Sequence, residues 1–510
     1  MSRIKKFTVS LLTGQVAVGI TIIYTAVSIP LALYYLDLTE FGVWAVVVQW
    51  VGYLALIDSG MSLSFGRMLI DHKDTRESGK YGAMFKLILM INMVQGVAIL
   101  LLGVCLSAAA TFFLKLPLEL QQKFHYLLIG QSALIMATFF LRAWNGVLFS
   151  HQRMDVNNYQ NSIQLLLSLA LLFIFFKLGA GIYAILYANA VSFVLCAWIP
   201  IWVCHRSGYL PKRNEYGKIN WELAREPIRY GINLFFINLG TQLTVASQTL
   251  LVGRLMGLEA AAIWALMTKP FNMACQIVWK IFNFAAPALV EMMVRKEQLK
   301  IQQAFKEILK LTGYAAALTA AGLAVCNNDF MTVWTGGRVS WLWWDSWLLG
   351  GWFFLLSLSR CWCILPILTK DVAWEVKYIY LLEGALFIGL MLNWRGEMNF
   401  TLMLVLSIVT GILFSGTYGV VRAAELLKVH KREMLKWSGG SLVALILLTT
   451  VGGSAYLILH EQAEWLRLVV CATLITGLGG ILIWFYGLNV ERQRLVLAYL
   501  LRLTQFAARQ

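Results

Sequence analysis

Leu36-Asp37-Leu38-Thr39-Glu40-Phe41-Gly42-Val43-Trp44-Ala45 opens the stretch that decides the fold. From Phe41 to Ile70 some thirty residues are largely apolar, with Asp58 in the middle and Arg67 near the far end. A soluble helix rarely sustains such a run, whereas crossing a bilayer core takes about 20 apolar residues. An ionisable side chain at that depth is costly against lipid, so Asp58 is expected to face protein or a water-filled cavity.

The same stretch recurs. Leu38-Thr39-Glu40-Phe41-Gly42-Val43-Trp44-Ala45 aligns with Leu258-Glu259-Ala260-Ala261-Ala262-Ile263-Trp264-Ala265 at an offset of 220 residues. Arg142-Ala143-Trp144 aligns with Arg360-Cys361-Trp362 at an offset of 218. Two independent matches within two residues of one spacing indicate a duplicated unit and a two-lobed transporter.

Composition sets the class. The chain has 510 residues, 59% hydrophobic and 13% charged, with a mean hydropathy of +0.70. So little charge in a chain of this length points to a polytopic membrane protein. The eight cysteines lie mostly inside apolar runs and read as small buried apolar residues rather than as disulfide or metal chemistry. No GxxxxGK[ST] motif occurs, so the chain carries no P-loop ATPase. None of the six histidines lies deep in an apolar run, and no cofactor is expected.

Measured against a 20-residue span, the sequence divides into fourteen segments: 10–35, 41–70, 84–113, 124–149, 159–176, 182–204, 230–256, 262–293, 309–327, 346–369, 378–393, 400–421, 438–459 and 466–488. With the amino terminus inside, and with Arg254, Lys310 and Arg467 at span ends counted with the adjoining loops, the inner segments hold 29 Lys and Arg, the outer segments 7, and the spans 6. That imbalance follows the positive-inside rule and places both termini in the cytoplasm. It also accounts for most of the formal +16, leaving no call for nucleic acid. Six spans per unit is an even number, so the copies keep one orientation and form parallel repeats. The expected divisions are an N-lobe over 1–204, a cytoplasmic linker over 205–229, a C-lobe over 230–424, an extra helix pair over 425–488 and a basic tail over 489–510. The linker reads as a basic, partly amphipathic segment lying on the inner leaflet.

Several motifs resemble bacterial polysaccharide flippases, the O-antigen and lipid-linked oligosaccharide exporters of the multidrug/oligosaccharidyl-lipid/polysaccharide superfamily. They are the turn Leu36–Trp44, Asp58-Ser59-Gly60, the opening Ile228-Arg229-Tyr230-Gly231-Ile232, and Val333-Trp334-Thr335-Gly336-Gly337. The resemblance implies an all-α integral membrane protein with two six-helix bundles around a central cavity that opens alternately to each face. It implies a cargo of sugar chain on undecaprenyl diphosphate, the bacterial inner membrane as location, and partners in a polysaccharide assembly machinery. Many O-antigen flippases have twelve spans, whereas the extra pair here fits fourteen-span members.

The ionisable residues inside spans are the candidate site. Arg142 and Arg360 each lie about eight residues from the cytoplasmic end of a span, roughly 12 Å deep at ~1.5 Å per residue. Arginine offers a forked set of donors to phosphate oxygens and stays charged, which suits a diphosphate. Lys280, near mid-span, and Lys269, nearer the outer end, are further anion-binding candidates. Asp58 and Glu383 are the candidate counter-ions or coupling carboxylates. Six basic residues against two acids within spans suits an anion and argues against a drug-cation exporter. Arg67 and Lys86, close to the inner interface, read as ordinary interfacial cations, and six tryptophans between Trp334 and Trp352 as an outer aromatic belt. Against the flippase stand a drug/cation antiporter on the same fold and a membrane polysaccharide polymerase or ligase. The enzyme would want catalytic groups on a large outer loop; the longest here, Asn328 to Asp345, offers Asp329, Arg338 and Asp345 but no histidine.

Overall fold

A computed structural model describes residues 3–58, 69–70, 79–212, 215–218, 222–369, 373–488 and 493. Arg67, Ser59 and Gly60 lie outside the described residues, as does nearly all of the basic tail. The described elements are all helical.

The chain divides into two units, Met1–Ala262 and Ile263–Gln510. The first contains α1 (Arg3–Tyr35), α2 (Leu38–Ala55), α3 (Lys80–Leu114), α4 (Leu118–Ser150), α5 (Met154–Lys177), α6 (Tyr183–Cys196), α7 (Trp198–Arg206), α8 (Glu222–Val245) and α9 (Ser247–Leu255); α10 (Leu258–Met267) runs across the division. Asp37 starts α2 as its cap, its carboxylate accepting from the Glu40 N–H at 2.6 Å. Such a cap satisfies one of the amides that a helix start leaves without a partner. At the start of α2, Lys123 pairs with Glu40 at 2.6 Å. Helix α3 packs along α4, α1 along α5, and α9 on α2. A core of Tyr81, Met84, Phe85, Leu87, Ile88, Ala143, Val147 and Leu148 holds α3 to α4.

The second unit holds α11 (Lys269–Val294), α12 (Gln298–Thr335), α13 (Trp343–Leu368), α14 (Ala373–Asn393), α15 (Phe400–Gly411), a π-turn (Ile412–Gly416), α16 (Thr417–Leu427), α17 (Lys431–Ile458), α18 (Glu464–Leu482) and a second π-turn (Ile483–Gly487). Helix α12 is its hub, packing on α11, α13, α17 and α18. The extra pair α17–α18 is tied to it by Arg467, whose Nε and Nη2 each donate to the Asp329 carboxylate at 2.6 Å. Outward, Leu12, Val16, Ile23, Val94, Leu101, Val443 and Val469 are exposed, the surface that lipid rather than water would cover.

Among the described residues twelve helices are long and apolar enough to cross a membrane, or thirteen if one bent pair counts as a span. The expected count of fourteen is therefore not reached. The remaining segment, 378–393, falls on α14, which carries Glu375, Lys377 and Glu383 and is not among them.

Four expectations change. The run from Phe41 to Ile70 is not one helix: α2 ends at Ala55, and Leu56, Ile57 and Asp58 form a tight turn with N–H bonds to the carbonyls three residues back. Gln95 on α3 fixes that turn, its Nε2 donating to the Ile57 carbonyl at 3.1 Å. The segment 230–256 bends by 41° between Val245 and Ser247. There Thr244 and Ser247 return their hydroxyls to the carbonyls of Gly240 and Leu243, a pattern that bends helices. Helix α12 runs through to Thr335, so Asp329 lies in a helix and the outer loop shrinks to 336–342. Finally, the described linker residues dock on protein. Gly217 N–H donates to the Gly79 carbonyl at 3.0 Å, Tyr81 Oη donates to the Tyr209 carbonyl at 3.0 Å, and the Tyr209 ring stacks on His151 at 4.1 Å. Of the cysteines, seven are buried as expected, while Cys105 is exposed on α3.

Gly42 gives the first testable consequence. A Cβ placed there would sit 2.0 Å from the Leu258 carbonyl oxygen, a backbone atom that no rotamer change can move aside. Gly42→Ala is expected to lower the melting temperature of the detergent-solubilised protein by several degrees and cut its yield, as overpacking costing about 1–3 kcal/mol would. Gly52, with nothing within 4 Å of its Cβ position, is the control, and Gly52→Ala should be silent.

Candidate functional site

Helix α4 carries Arg142 eight residues before its last residue, Ser150, and α13 carries Arg360 eight residues before Leu368. Each arginine thus sits about two turns before the end of its own helix, but their surroundings differ.

In the first unit Arg142 is paired. Its Nη1 lies 2.7 Å from Asp58 Oδ2, and both side chains are about three-quarters buried, at 25% and 22% exposure. The contact is a close charge pair. The guanidinium carbon also lies 3.6 Å from the centroid of the Phe139 ring, itself fully buried. Asp58 reaches Arg142 because α2 stops short and the turn at Leu56–Asp58, pinned by Gln95, brings the carboxylate round. A helix continued through Asp58 would have fixed that side chain to the face set by α2.

In the second unit Arg360 has no ion pair among the described residues. Its guanidinium lies over two aromatic faces, Trp279 at 4.8 Å and Tyr380 at 5.2 Å, a cation–π cage. Its Nε is buried and without a hydrogen-bond partner. Its charge acts on Glu383, Tyr380, Cys363 and Cys275, which surround it. Glu383 is 1% exposed and is engaged elsewhere: Ser415 N–H donates to its Oε2 at 3.1 Å. That amide is free for Glu383 because it lies in the π-turn Ile412–Gly416, while the Ser415 hydroxyl bonds back to the Gly411 carbonyl at 3.3 Å. π-Turns of this kind are frequent at functional sites.

The lysines lie elsewhere. Lys280 is an exposed residue of α11, and Lys269 is half-buried at the first position of the same helix. Lys86 sits 4.8 Å over the Tyr216 ring of the linker. The structure brings Asp58 to Arg142 and Arg360 to the neighbourhood of Glu383; it pairs neither acid with a lysine among the described residues. Sequence reading had not singled out Gln95, Phe139, Trp279, Tyr380 or Ser415. Neutral polar and aromatic residues in an apolar run carry no signal of their own, and only Gln95, a buried amide opposite a predicted charged span, offered a hint.

Of the six outer tryptophans, Trp341 and Trp352 are buried, packed with Trp264, Phe271 and Phe400, while Trp343, Trp344 and Trp347 are exposed. Trp344 Nε1 donates to Thr401 Oγ1 at 3.1 Å, and that hydroxyl donates to Asp345. Asp345 is thereby a structural acceptor.

No curated protein sequence matches the chain. Among solved structures, an inward-facing MATE-family multidrug resistance transporter of the MOP superfamily aligns with a TM-score of 0.63 at 12% identity, covering 79% of this chain and 95% of that one. An outward-facing member aligns at 0.56 and 12%, covering 84% and 97%. A MOP superfamily transporter from Pyrococcus furiosus, described as having a binding pocket of reversed polarity, aligns at 0.56 and 14%, covering 83% and 96%. At such identities the likeness is one of fold. The sequence profile of the polysaccharide biosynthesis protein family matches residues 5–293, more than half of the chain. This multi-pass membrane protein, built on the fold of the MOP-superfamily transporters, belongs to the polysaccharide biosynthesis protein family.

Proposed function

We propose that the protein is a flippase that moves a lipid-linked oligosaccharide, its sugar chain joined through a diphosphate to a polyprenyl carrier, from the inner to the outer leaflet by alternating access. The observation that carries this reading is Arg360: a permanent cation inside an apolar helical unit, with no ion pair among the described residues and a buried Nε left open. A cation kept at that depth is costly unless it serves something, and a diphosphate supplies the charge and the forked acceptors it lacks. Arg142 adds a second guanidinium whose present partner, Asp58, an anionic cargo can displace. Both inward- and outward-facing conformations are known for proteins of this fold, as alternating access requires.

The multidrug relatives suggest a cation exporter as the second reading. Six basic residues against two acids in the expected spans oppose it. The sequence has no P-loop, and the proposed drive is an ion gradient, the membrane potential or removal of the product at the far face. At about 2.3 kcal/mol per charge per 100 mV, an anion leaving an inside-negative cell moves downhill. The test is purified protein in liposomes with a fluorescent polyprenyl-diphosphate oligosaccharide, scored by accessibility of the label at the outer face. Translocation of that lipid, faster than in empty liposomes, is the expected result. Translocation of a cationic dye alone would replace this reading with the antiporter.

The proposed direction needs the orientation read from the loop charges. Reporters fused at Gly79 and after Val490 are expected to report cytoplasm, and one after Gly337 the outside. Gly337 is exposed in the short loop after α12, and finding it cytoplasmic would invert the topology.

A further inference from the structure

The start of α17 carries a feature that the transport reading does not use. A cavity of about 650 Å³ there is lined by His430, Arg432, Glu433, Lys436 and Trp437. Trp437 is buried, and Lys306 of α12 lies 5.7 Å from the centroid of its ring, a further cation beside that lining residue. Glu433 is the single carboxylate among the lining residues.

What lies beyond it along the helix gives the cavity a direction. Residues three, four and seven apart share a helix face. Arg432 and Lys436 therefore continue into Gly439 and Gly440, and then into Val443, Ile446 and Leu447, which are 63%, 58% and 43% exposed. A Cβ at Gly439 would meet nothing within 4 Å, whereas one at Gly440 would meet the Tyr314 hydroxyl at 2.6 Å, so the stripe is open at Gly439 and bordered by Tyr314 at Gly440. From Lys436 to Leu447 the helix rises by about 16 Å, close to half of a hydrocarbon core ~30 Å thick. Two cations at one end, an open position at Gly439, and exposed aliphatics over one leaflet's depth match an anionic head above an acyl chain. A free phosphate has no use for the apolar part.

We propose that this stripe of α17 is a binding site for an anionic phospholipid of the membrane, with the phosphate between Arg432, Lys436 and Lys306 and an acyl chain along Gly439, Val443 and Leu447. The lipid would fix the extra pair α17–α18 at the inner interface, where the loop charges place the start of α17. The proposal is independent of the cargo and of the arginines that serve it.

Native mass spectrometry of the full chain released from detergent tests it, with phosphatidylglycerol, phosphatidylcholine, a polyprenyl diphosphate and inorganic phosphate as probes. Phosphatidylglycerol is expected to stay bound, and phosphatidylcholine to bind far more weakly. The double variant Arg432→Gln/Lys436→Gln should weaken phosphatidylglycerol binding by about 30-fold, as losing two interfacial cations implies. The charge-keeping Arg432→Lys/Lys436→Arg should retain it, which separates loss of charge from loss of fold. Arg360→Ala should leave it unchanged, so that failure of the transport reading and failure of this one are told apart. Unchanged phosphatidylglycerol binding in the Gln variant overturns the proposal. So does displacement of phosphatidylglycerol by millimolar inorganic phosphate, which would make this a free-anion site, or by the polyprenyl diphosphate, which would make it a cargo site.

Discussion

Arg360→Ala is expected to abolish transport of the lipid-linked oligosaccharide while leaving the protein inserted and folded. The two halves of that result have different causes. A charge-assisted hydrogen bond to phosphate is worth about 1.5–3 kcal/mol, so losing a forked pair lowers cargo affinity by about 100-fold or more. Folding is spared because Arg360 has no ion pair whose loss would strand a carboxylate among the described residues. What goes is a cation–π cage, about 0.5–2 kcal/mol, and Glu383 keeps the Ser415 N–H as its donor. Arg360→Lys should recover transport in part, since an ammonium restores the Coulomb attraction but not the two-pronged geometry. Binding of the fluorescent cargo, melting temperature and membrane yield are measured together. Normal transport by the alanine variant would remove the observation on which the proposed function stands.

How much of this was legible before the structure depends on which force fixes each feature. The helical membrane class follows from hydropathy and loop charge, which are summed along the chain. The aligned residues of the echo both start helices, α2 at Leu38 and α10 at Leu258, and each first turn carries an acid, Glu40 and Glu259. The positions of Arg142 and Arg360 along their helices were readable for the same reason, as both are eight residues from a helix end. Where helices break was not readable. Hydropathy runs through Leu56, Ile57 and Ala246 without change, yet α2 stops and α8 bends, because Gln95 in one place and Thr244 and Ser247 in the other engage backbone carbonyls. The length of α12 was misread for a related reason. Asn327, Asn328 and Asp329 look like loop chemistry, but Asp329 is buried by Arg467, 138 positions away, and Asn327 donates to the Met267 carbonyl at 3.1 Å. Tertiary partners turned a polar cluster into the interior of a helix. The duplicated arginines show the same limit, since the repeat gave their matching positions and said nothing of their unlike partners.

That difference makes Arg142 the more informative of the pair. Arg142→Ala removes a cation that the cargo would meet, and it also leaves Asp58 without its 2.7 Å partner. Breaking a fully buried pair costs about 3–5 kcal/mol, and less here because each side chain keeps roughly a quarter of its surface exposed. The Asp58 charge, no longer offset by Arg142, would moreover repel an anionic cargo, so transport by Arg142→Ala should fall by about 100-fold or more, as far as for Arg360→Ala. Asp58→Asn alone should act in the opposite sense on binding. With its competitor neutralised Arg142 is free, and cargo affinity should rise by about tenfold while turnover falls modestly, because release now lacks a carboxylate to take the guanidinium back. The decisive variant is the combination Arg142→Ala/Asp58→Asn. If Asp58 is a counter-ion, removing both charges should restore part of the transport lost in Arg142→Ala, with affinity between the single variants. If Asp58 instead carries a coupling proton or cation, Asp58→Asn will be inactive by itself and the combination will rescue nothing. A pure stability role would show as parallel loss of yield and melting temperature in both single variants, recovered together in the double, with cargo affinity per folded molecule unchanged throughout.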